Sequence, residues 1–301
     1  MGALDGRVAI ITGAGRGLGR EHALLFAREG ARLVINDLGT TAEGAGRDQG
    51  PALEVVAEIT ALGGEAVASG ADVSDFEQAA GLIELAVETF GGLHVLVNNA
   101  GILSDRTLAN VSEEEWDRVL RVNTRGTFCT TRWAATYWRD EAKAGRDLKP
   151  ALINTTSWTG LVGNFGQSNY AAAKGGIAAF TISAQIELDR FGVRCNAIAP
   201  TGRTRLTADT GNAEEAKRIP DDPDAFDVWH PGNASPLVAY LATADCPVKG
   251  RVFFVNGGDI YPMQPWTFLG PLSKPSRWTI DELREQLPPA LPPLPSSPEI
   301  G

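Results

Sequence analysis

Seven short runs rich in β-branched residues punctuate this chain, and longer stretches of helical periodicity separate them. RVAIIT (7–12), ARLVIND (31–37), EAVASGADV (65–73), LHVLVNNAG (93–101), PALINTTS (150–157), GVRCNAIAP (192–200) and GRVFFVNGG (250–258) read as strands. LGREHALLFAREG, PALEVVAEITALGG (51–64) and DFEQAAGLIELAVETFGG (75–92) read as helices, with others from about Ser112, from Gly126 and over 168–190. Such alternation requires parallel pairing, because the chain must cross back between one strand and the next. Right-handed crossovers then predict an α/β fold: a single-domain, Rossmann-like, doubly wound parallel sheet of about seven strands with helices on both faces. That domain is expected over residues 1–262, with 263–301 as a Pro-rich C-terminal extension. Within the extension TIDELREQL (279–287) suits a short helix capped by Thr279, whereas PALPPLPSSP is expected to be extended or disordered, or to strap a neighbouring subunit.

A formal charge of −10 opposes long-range attraction to nucleic acid or an anionic membrane, and neither is expected as a partner. It leaves open a small anionic molecule held by local arginines. Cys129, Cys195 and Cys246 show neither disulfide nor metal spacing, and His22, His94 and His230 are too scattered to ligate, so no metal is expected. No apolar run approaches the roughly 18–20 residues that span a bilayer. The N-terminus places a strand and a glycine loop where a cleavable signal would stand, and the expected location is cytoplasmic.

TGAGRGLG (12–19) ends the first strand and opens the first helix. Glycines there let backbone N–H groups approach a pyrophosphate, with the helix dipole assisting; the alternative is a tight strand–helix connection. On the first reading Gly13, Gly15, Arg16, Gly17, Leu18 and Gly19 touch a dinucleotide. Asp37, ending the second strand, can accept hydrogen bonds from an adenosine ribose and would repel a 2′-phosphate, which selects NAD over NADP. Arg16 pulls the other way, and Asp37 could instead cap a turn before Gly39. Asp72 can accept from an adenine amino group while the Val73 amide donates to the ring, or Asp72 or Ser74 caps the next helix. Asn99, Ala100 and Gly101 in NNAG suit a strand end alongside a ligand, or an ordinary turn. LGTTAEGAGRDQG (38–50) is a long glycine-rich connection.

SNYAAAKGG (168–176) sets Tyr170 and Lys174 one helical turn apart, so both can face the crevice at the sheet's carboxyl edge. A phenol titrating near 10 is a poor base at neutral pH, and a nearby ammonium favours its ionised form. Ser157, ending the fifth strand, can donate to the same substrate oxygen, and Asn123 can hold a water beside Lys174. These are parts for proton transfer coupled to hydride transfer.

TGAGRGLG, NNAG, Asn123, Ser157 and YAAAK together resemble the short-chain dehydrogenase/reductase superfamily over about residues 5–260. The resemblance implies Tyr170 as general acid/base, Lys174 as its electrostatic partner and holder of the nicotinamide ribose, Ser157 as polariser of the substrate oxygen, and Asn123 as support of the relay. It also implies contacts from Pro200 and Thr201 to the cofactor, and a homodimer or homotetramer. More narrowly, VINDLG with its glycine-rich insert, NNAGILSDRTL, GNFGQSNYAAAK and NAIAPTGRTRLT resemble the (3R)-hydroxyacyl-CoA dehydrogenase region of the peroxisomal multifunctional enzymes of type 2, also called 17β-hydroxysteroid dehydrogenases type 4. Histidine stands in that group where this chain has Asn123, and a free-standing dehydrogenase is expected because no hydratase region or peroxisomal tripeptide is seen before the final PEIG.

Trp158 and Phe165 can line an apolar substrate pocket beside Ser157 and Tyr170, as can Trp229 in a lid expected over 209–231; ordinary packing is the alternative. Arg106, Arg203 and Arg205 are candidates to meet a CoA phosphate, or are solvated surface charges. The resulting expectation is an NAD-dependent oxidation of a (3R)-hydroxyacyl-CoA. A hydroxysteroid or other bulky secondary alcohol is the alternative substrate, and a dinucleotide-binding regulator without turnover is the remaining possibility.

Overall fold

The computed structural model describes residues 2–207, 218–222, 225–264 and 266–292. Its strands are β1 (Val8–Thr12), β2 (Arg32–Asn36), β3 (Glu65–Ser69), β4 (Val95–Asn98), β5 (Ala151–Thr155), β6 (Arg194–Pro200), β7 (Val252–Asn256) and β8 (Asp259–Met263). They form one sheet in the order β3-β2-β1-β4-β5-β6-β7-β8, parallel except for the antiparallel β7–β8 pair. The direction of winding reverses between β1 and β4, which opens a crevice beyond their carboxyl ends.

The strands are apolar on both faces because both faces are covered. Ala9, Ile11, Leu33, Ile35, Val95 and Val97 pack with residues of α1 (Gly17–Arg28), α2 (Gly50–Ala61) and the helix Ser235–Ala242. Val8, Ile10, Val34, Leu96 and Leu152, one step out of phase, pack with α3 (Phe76–Phe90) and α5 (Gly126–Lys143). Each set is fully withdrawn from water, which accounts for the unbroken apolar runs that mark these strands in the sequence.

Among the described residues the sheet has eight strands where about seven are expected from the sequence. After β7, Gly257, with φ of +52°, and Gly258 turn the chain back on itself, pairing Asn256 with Asp259. Pro262 is accommodated because β8 is an edge strand with no further neighbour among the described residues. A second difference lies at α3: its N-cap is Asp75, whose carboxylate accepts from the Glu77 and Gln78 amides, rather than Asp72 or Ser74. Ser112 caps α4 (Glu113–Leu120) in a reciprocal capping box with Glu115.

Contacts divide the chain into two units, Met1–Met263 and Gln264–Gly301. In the second, the helix Ile280–Gln286 begins at Thr279 with a capping box to Glu282, and Lys274 pairs with Glu282. Pro288–Ala290 form a 3₁₀ turn, so the start of PALPPLPSSP is not extended as expected; proline at the first helical positions needs no N–H partner. Residues 293–298 of that stretch lie outside the described residues. No helix among the described residues is long and apolar enough to cross a membrane.

Candidate active site

The glycine loop and NNAG meet at the crevice. Gly13 has φ of +61°, and a Cβ there would stand 2.7 Å from the Ala100 Cα. The Asn99 amide donates to the carbonyls of Thr12 and Gly13, both at 3.0 Å, tying the two loops as its residue type suggested. Thr12, which the sequence reading passed over, completes the joint: its Oγ1 accepts from the Asn99 and Ala100 amides at 3.0 and 3.1 Å. A hydroxyl closing an otherwise apolar strand was the available signal. At Gly19 a Cβ would lie 2.3 Å from the Gly13 carbonyl oxygen and 2.6 Å from the Asn99 Nδ2. Helix propensity alone would make Gly19→Ala stabilising by about 1 kcal/mol. The overpacking costs about 3 kcal/mol, a net loss of about 2 kcal/mol, and Tm is expected to fall by roughly 3–5 °C in a chain of this size. A Tm equal to or above that of the parent in a thermal melt would contradict this.

Asp37 caps the turn before Gly39, the alternative given for it from the sequence. Its Oδ1 accepts from the Gly39 amide at 2.7 Å and its Oδ2 from the Gly15 amide at 2.8 Å, so the carboxylate caps the turn and faces the glycine loop. Arg16 is exposed at the N-cap of α1. Leu18 and Gly17 meet the loop after β6 through Gly202 and Thr204, and in that loop Thr201 donates from its backbone to Val255 and from its hydroxyl to Asn256, just beyond Pro200. Asp72 accepts from the Ser74 amide and hydroxyl and from Arg121. Burial pushes its carboxyl up, but Ser74 and Arg121 outweigh this and hold it below the usual range. Val73 is buried against Gly126, where a Cβ would come within 2.8 Å of it. The 38–50 insert leaves the strand edge and crosses toward β4: Ala42 accepts from the Leu103 amide at 3.3 Å, and Thr40 from Arg205 at 2.8 Å.

Asn123 sits in a π-helical turn, Arg121–Arg125, between α4 and α5. Its Nδ2 donates to the Val119 and Ile102 carbonyls at 3.0 Å, and its buried Oδ1 has no hydrogen-bond partner among the described residues. Gly101 closes on the same spot: a Cβ there would lie 2.5 Å from the Asn123 Oδ1 and 3.5 Å from the Lys174 Nζ. Ser157 caps α6 (Trp158–Val162), its Oγ accepting from the Thr159 amide at 3.3 Å. The small residues of α7 (Ser168–Leu188) let α6 come against its backbone, where a Cβ on Gly160 would reach the Gly175 nitrogen at 2.5 Å. This places the Ser157 hydroxyl beside the Tyr170 phenol, where it favours the ionised form. The Lys174 Nζ lies 5.6 Å from the centre of the Tyr170 ring and donates to the Thr155 carbonyl at 2.8 Å.

The electrostatics differ from the expectation that Lys174 lowers the phenol. Burial pushes Tyr170 up to about 12, the neighbouring Ser157 hydroxyl opposing and the Asp105 charge reinforcing it. Burial likewise brings Lys174 down to about 7. Desolvation is thus the largest influence on each group.

The surrounding candidates divide. Trp158 packs on Phe254 at 5.0 Å between ring centres, whereas Phe165 is 89% exposed in the loop before α7. The three arginines proposed for a phosphate all make contacts within the chain: Arg203 holds Asp227 in a two-point ion pair, Arg205 donates to Thr40, and Arg106 pairs with Glu115 at 3.3 Å. His22 bonds Ser235, and the Nδ1 atoms of His94 and His230 accept from backbone amides, each in a packing or capping role. Among the described residues no three His, Cys, Asp or Glu side chains stand together as a metal site. Of the expected lid, residues 209–217 and 223–224 lie outside the described residues, and the Trp229 amide bonds the Asp227 carboxylate.

Residues 7–217 match the family model for short chain dehydrogenases. The chain belongs to this family. It is 45% identical over 270 residues to hydroxyacyl-CoA dehydrogenase ChsB1 of Mycobacterium tuberculosis, a match covering 87% of this chain and 81% of that one. It is 44% identical over 246 residues to peroxisomal multifunctional enzyme type 2 of Drosophila melanogaster, covering 82% of this chain and 38% of the larger enzyme. Among solved structures, a short chain dehydrogenase from Mycobacterium avium superposes with a TM-score of 0.85 at 49% identity, covering 98% of this chain and 99% of that one. The protein is thus a short-chain dehydrogenase, an oxidoreductase acting on CH–OH groups, and the family binds NAD(P). The donor set at the start of α1 fits such a dinucleotide, since its first turn holds no acidic residue to repel a pyrophosphate.

Proposed function

We propose that this short-chain dehydrogenase oxidises a (3R)-hydroxyacyl-CoA to the 3-oxoacyl-CoA with NAD, through Tyr170, Ser157, Lys174 and Asn123. The observation carrying the reading is the convergence of these residues from three separate segments on one edge of the sheet. Oxidised nicotinamide, when bound, would accept the carbinol hydrogen with its electron pair. Tyr170 takes the proton from the alcohol oxygen, which Ser157 holds by a second hydrogen bond. Burial holds the phenol near 12, so Tyr170 must give up its own proton before it can act as the base at neutral pH. Lys174 would hold the nicotinamide ribose and pass the proton on toward a water at the Asn123 Oδ1, which is buried and has no partner among the described residues.

Gly13, Gly15, Arg16, Gly17, Leu18, Gly19, Asn99, Ala100, Gly101, Pro200 and Thr201 would hold the dinucleotide, with Asp72 and Val73 at its adenine. Asp37 supports NAD as the form used. The names of the relatives support the thioester substrate, with Trp158 and Phe165 as candidate contacts to the acyl chain. The three buried free cysteines suit a reducing compartment, and a cytoplasmic homodimer or homotetramer is proposed.

The test is NADH formation across matched panels of (3R)- and (3S)-hydroxyacyl-CoAs and hydroxysteroids. Turnover of the 3R thioesters is expected, and activity confined to steroids would overturn the substrate assignment.

A further inference from the structure

Gln167 stands three residues before Tyr170 and is only 4% exposed, yet it belongs to none of the roles above. Its carboxamide is engaged from three sides. Nε2 donates to the Asp105 carboxylate at 2.9 Å, while Oε1 accepts from the Thr159 hydroxyl at 2.8 Å and the Asn164 amide at 3.0 Å. Each partner segment is attached to a different part of the site. Thr159 lies on the helix that Ser157 caps, and Asp105 follows Ile102, whose carbonyl receives the Asn123 amide. The same 104–106 segment is stitched to the start of α7 by two more bonds, Arg106 N to Gly166 O at 2.8 Å and Asn169 Nδ2 to Ser104 O at 2.9 Å. Asn169 in turn accepts from the Tyr170 amide at 2.7 Å.

We propose that Gln167 is a positioning residue: its carboxamide, clamped between Asp105 and Thr159, sets the spacing of the Ser157 and Tyr170 hydroxyls so that both reach one substrate oxygen. The inference rests on the reading of Tyr170 and Ser157 given under the proposed function. Both hydroxyls approach from different helices, and nothing in the backbone of either helix alone fixes their separation. Geometry of this kind matters because a displacement of about 1 Å at a reacting group can cost about 100-fold in rate.

Four variants test it in the full chain, with Tyr170→Phe run in parallel. Gln167→Glu keeps the shape and both acceptor bonds but sets a carboxylate against Asp105; kcat is expected to fall roughly 10- to 100-fold while KM for the hydroxyacyl-CoA and the Kd for NADH stay within about threefold. Gln167→Ala should match it. Asp105→Ala, at an exposed position that folding tolerates, should lose kcat in the same way, whereas Asp105→Asn still accepts from the Gln167 Nε2 and should recover kcat to within about threefold of the parent. Parental kcat in Gln167→Glu or in Asp105→Ala overturns the proposal, as does a fall in kcat matched by an equal loss of NADH affinity, which would mark general disruption. If Tyr170→Phe retains turnover, the functional reading fails and this inference with it. If Tyr170→Phe is inactive while the clamp variants turn over normally, the inference alone fails.

Discussion

Tyr170→Phe is expected to lower kcat for alcohol oxidation by about 10³-fold, within the range assigned to a positioned acid/base group. The tyrosine is partly buried, with the Ser157 hydroxyl beside its phenol and the Lys174 Nζ over its ring. Phenylalanine fills the same space and removes only the oxygen. The contacts that place α7 do not involve the phenol: they run through the Asn169 side chain, the Gln167 side chain and the Lys174 bond to Thr155. Packing and cofactor affinity should therefore survive, with the Kd for NADH within about threefold by fluorescence titration, and the loss should fall on kcat rather than on binding. A variant that turned over within tenfold of the parent would remove Tyr170 from the chemistry.

The second large effect concerns the choice of dinucleotide. Two backbone amides, Gly15 and Gly39, pin the two oxygens of the Asp37 carboxylate, so it cannot swing aside for a 2′-phosphate. Like charges forced together at such a site cost several kcal/mol, and NADH is expected to bind about 100-fold more tightly than NADPH. Arg16, the one cation of the glycine loop, is exposed at the helix start, and solvent screening weakens what it can return to the phosphate. Asp37→Asn removes the charge and leaves the shape; the preference should shrink to within a few-fold, mainly through tighter NADPH binding. Titration of both nucleotides at one fixed ionic strength decides it, and equal affinities in the parent protein would refute the assignment.

The sheet was legible from sequence where strands are buried on both faces, because burial writes an unbroken apolar run. β8 escaped for the opposite reason. It is an exposed edge strand containing Pro262, and only the NGG turn before it signalled a hairpin. The cap of α3 was misplaced because Asp72, Ser74 and Asp75 all offer oxygens, and a boundary uncertain by a few residues cannot choose among them. Ser157, Tyr170 and Lys174 could be singled out by residue type and spacing. What spacing could not convey is their environment. One helical turn between a phenol and an ammonium suggests mutual charge stabilisation, but enclosure of both pushes each toward neutrality. The π-helical turn that leaves the Asn123 Oδ1 buried and unpartnered depends on how α4 and α5 pack, and no local pattern announces it. Thr12 and Gln167 look unremarkable as residues and acquire their roles only through partners distant in sequence. Arg106, Arg203 and Arg205 show the converse: each reads as a free cation until the fold supplies its carboxylate or carbonyl.

A crystal structure of the protein with NAD and a (3R)-hydroxyacyl-CoA tests the central assignment most directly. The account predicts the C3 oxygen of the thioester within about 2.6–3.2 Å of both the Tyr170 and Ser157 hydroxyls. A thioester bound in the crevice with its C3 oxygen beyond the reach of Tyr170, held by other groups, would contradict it.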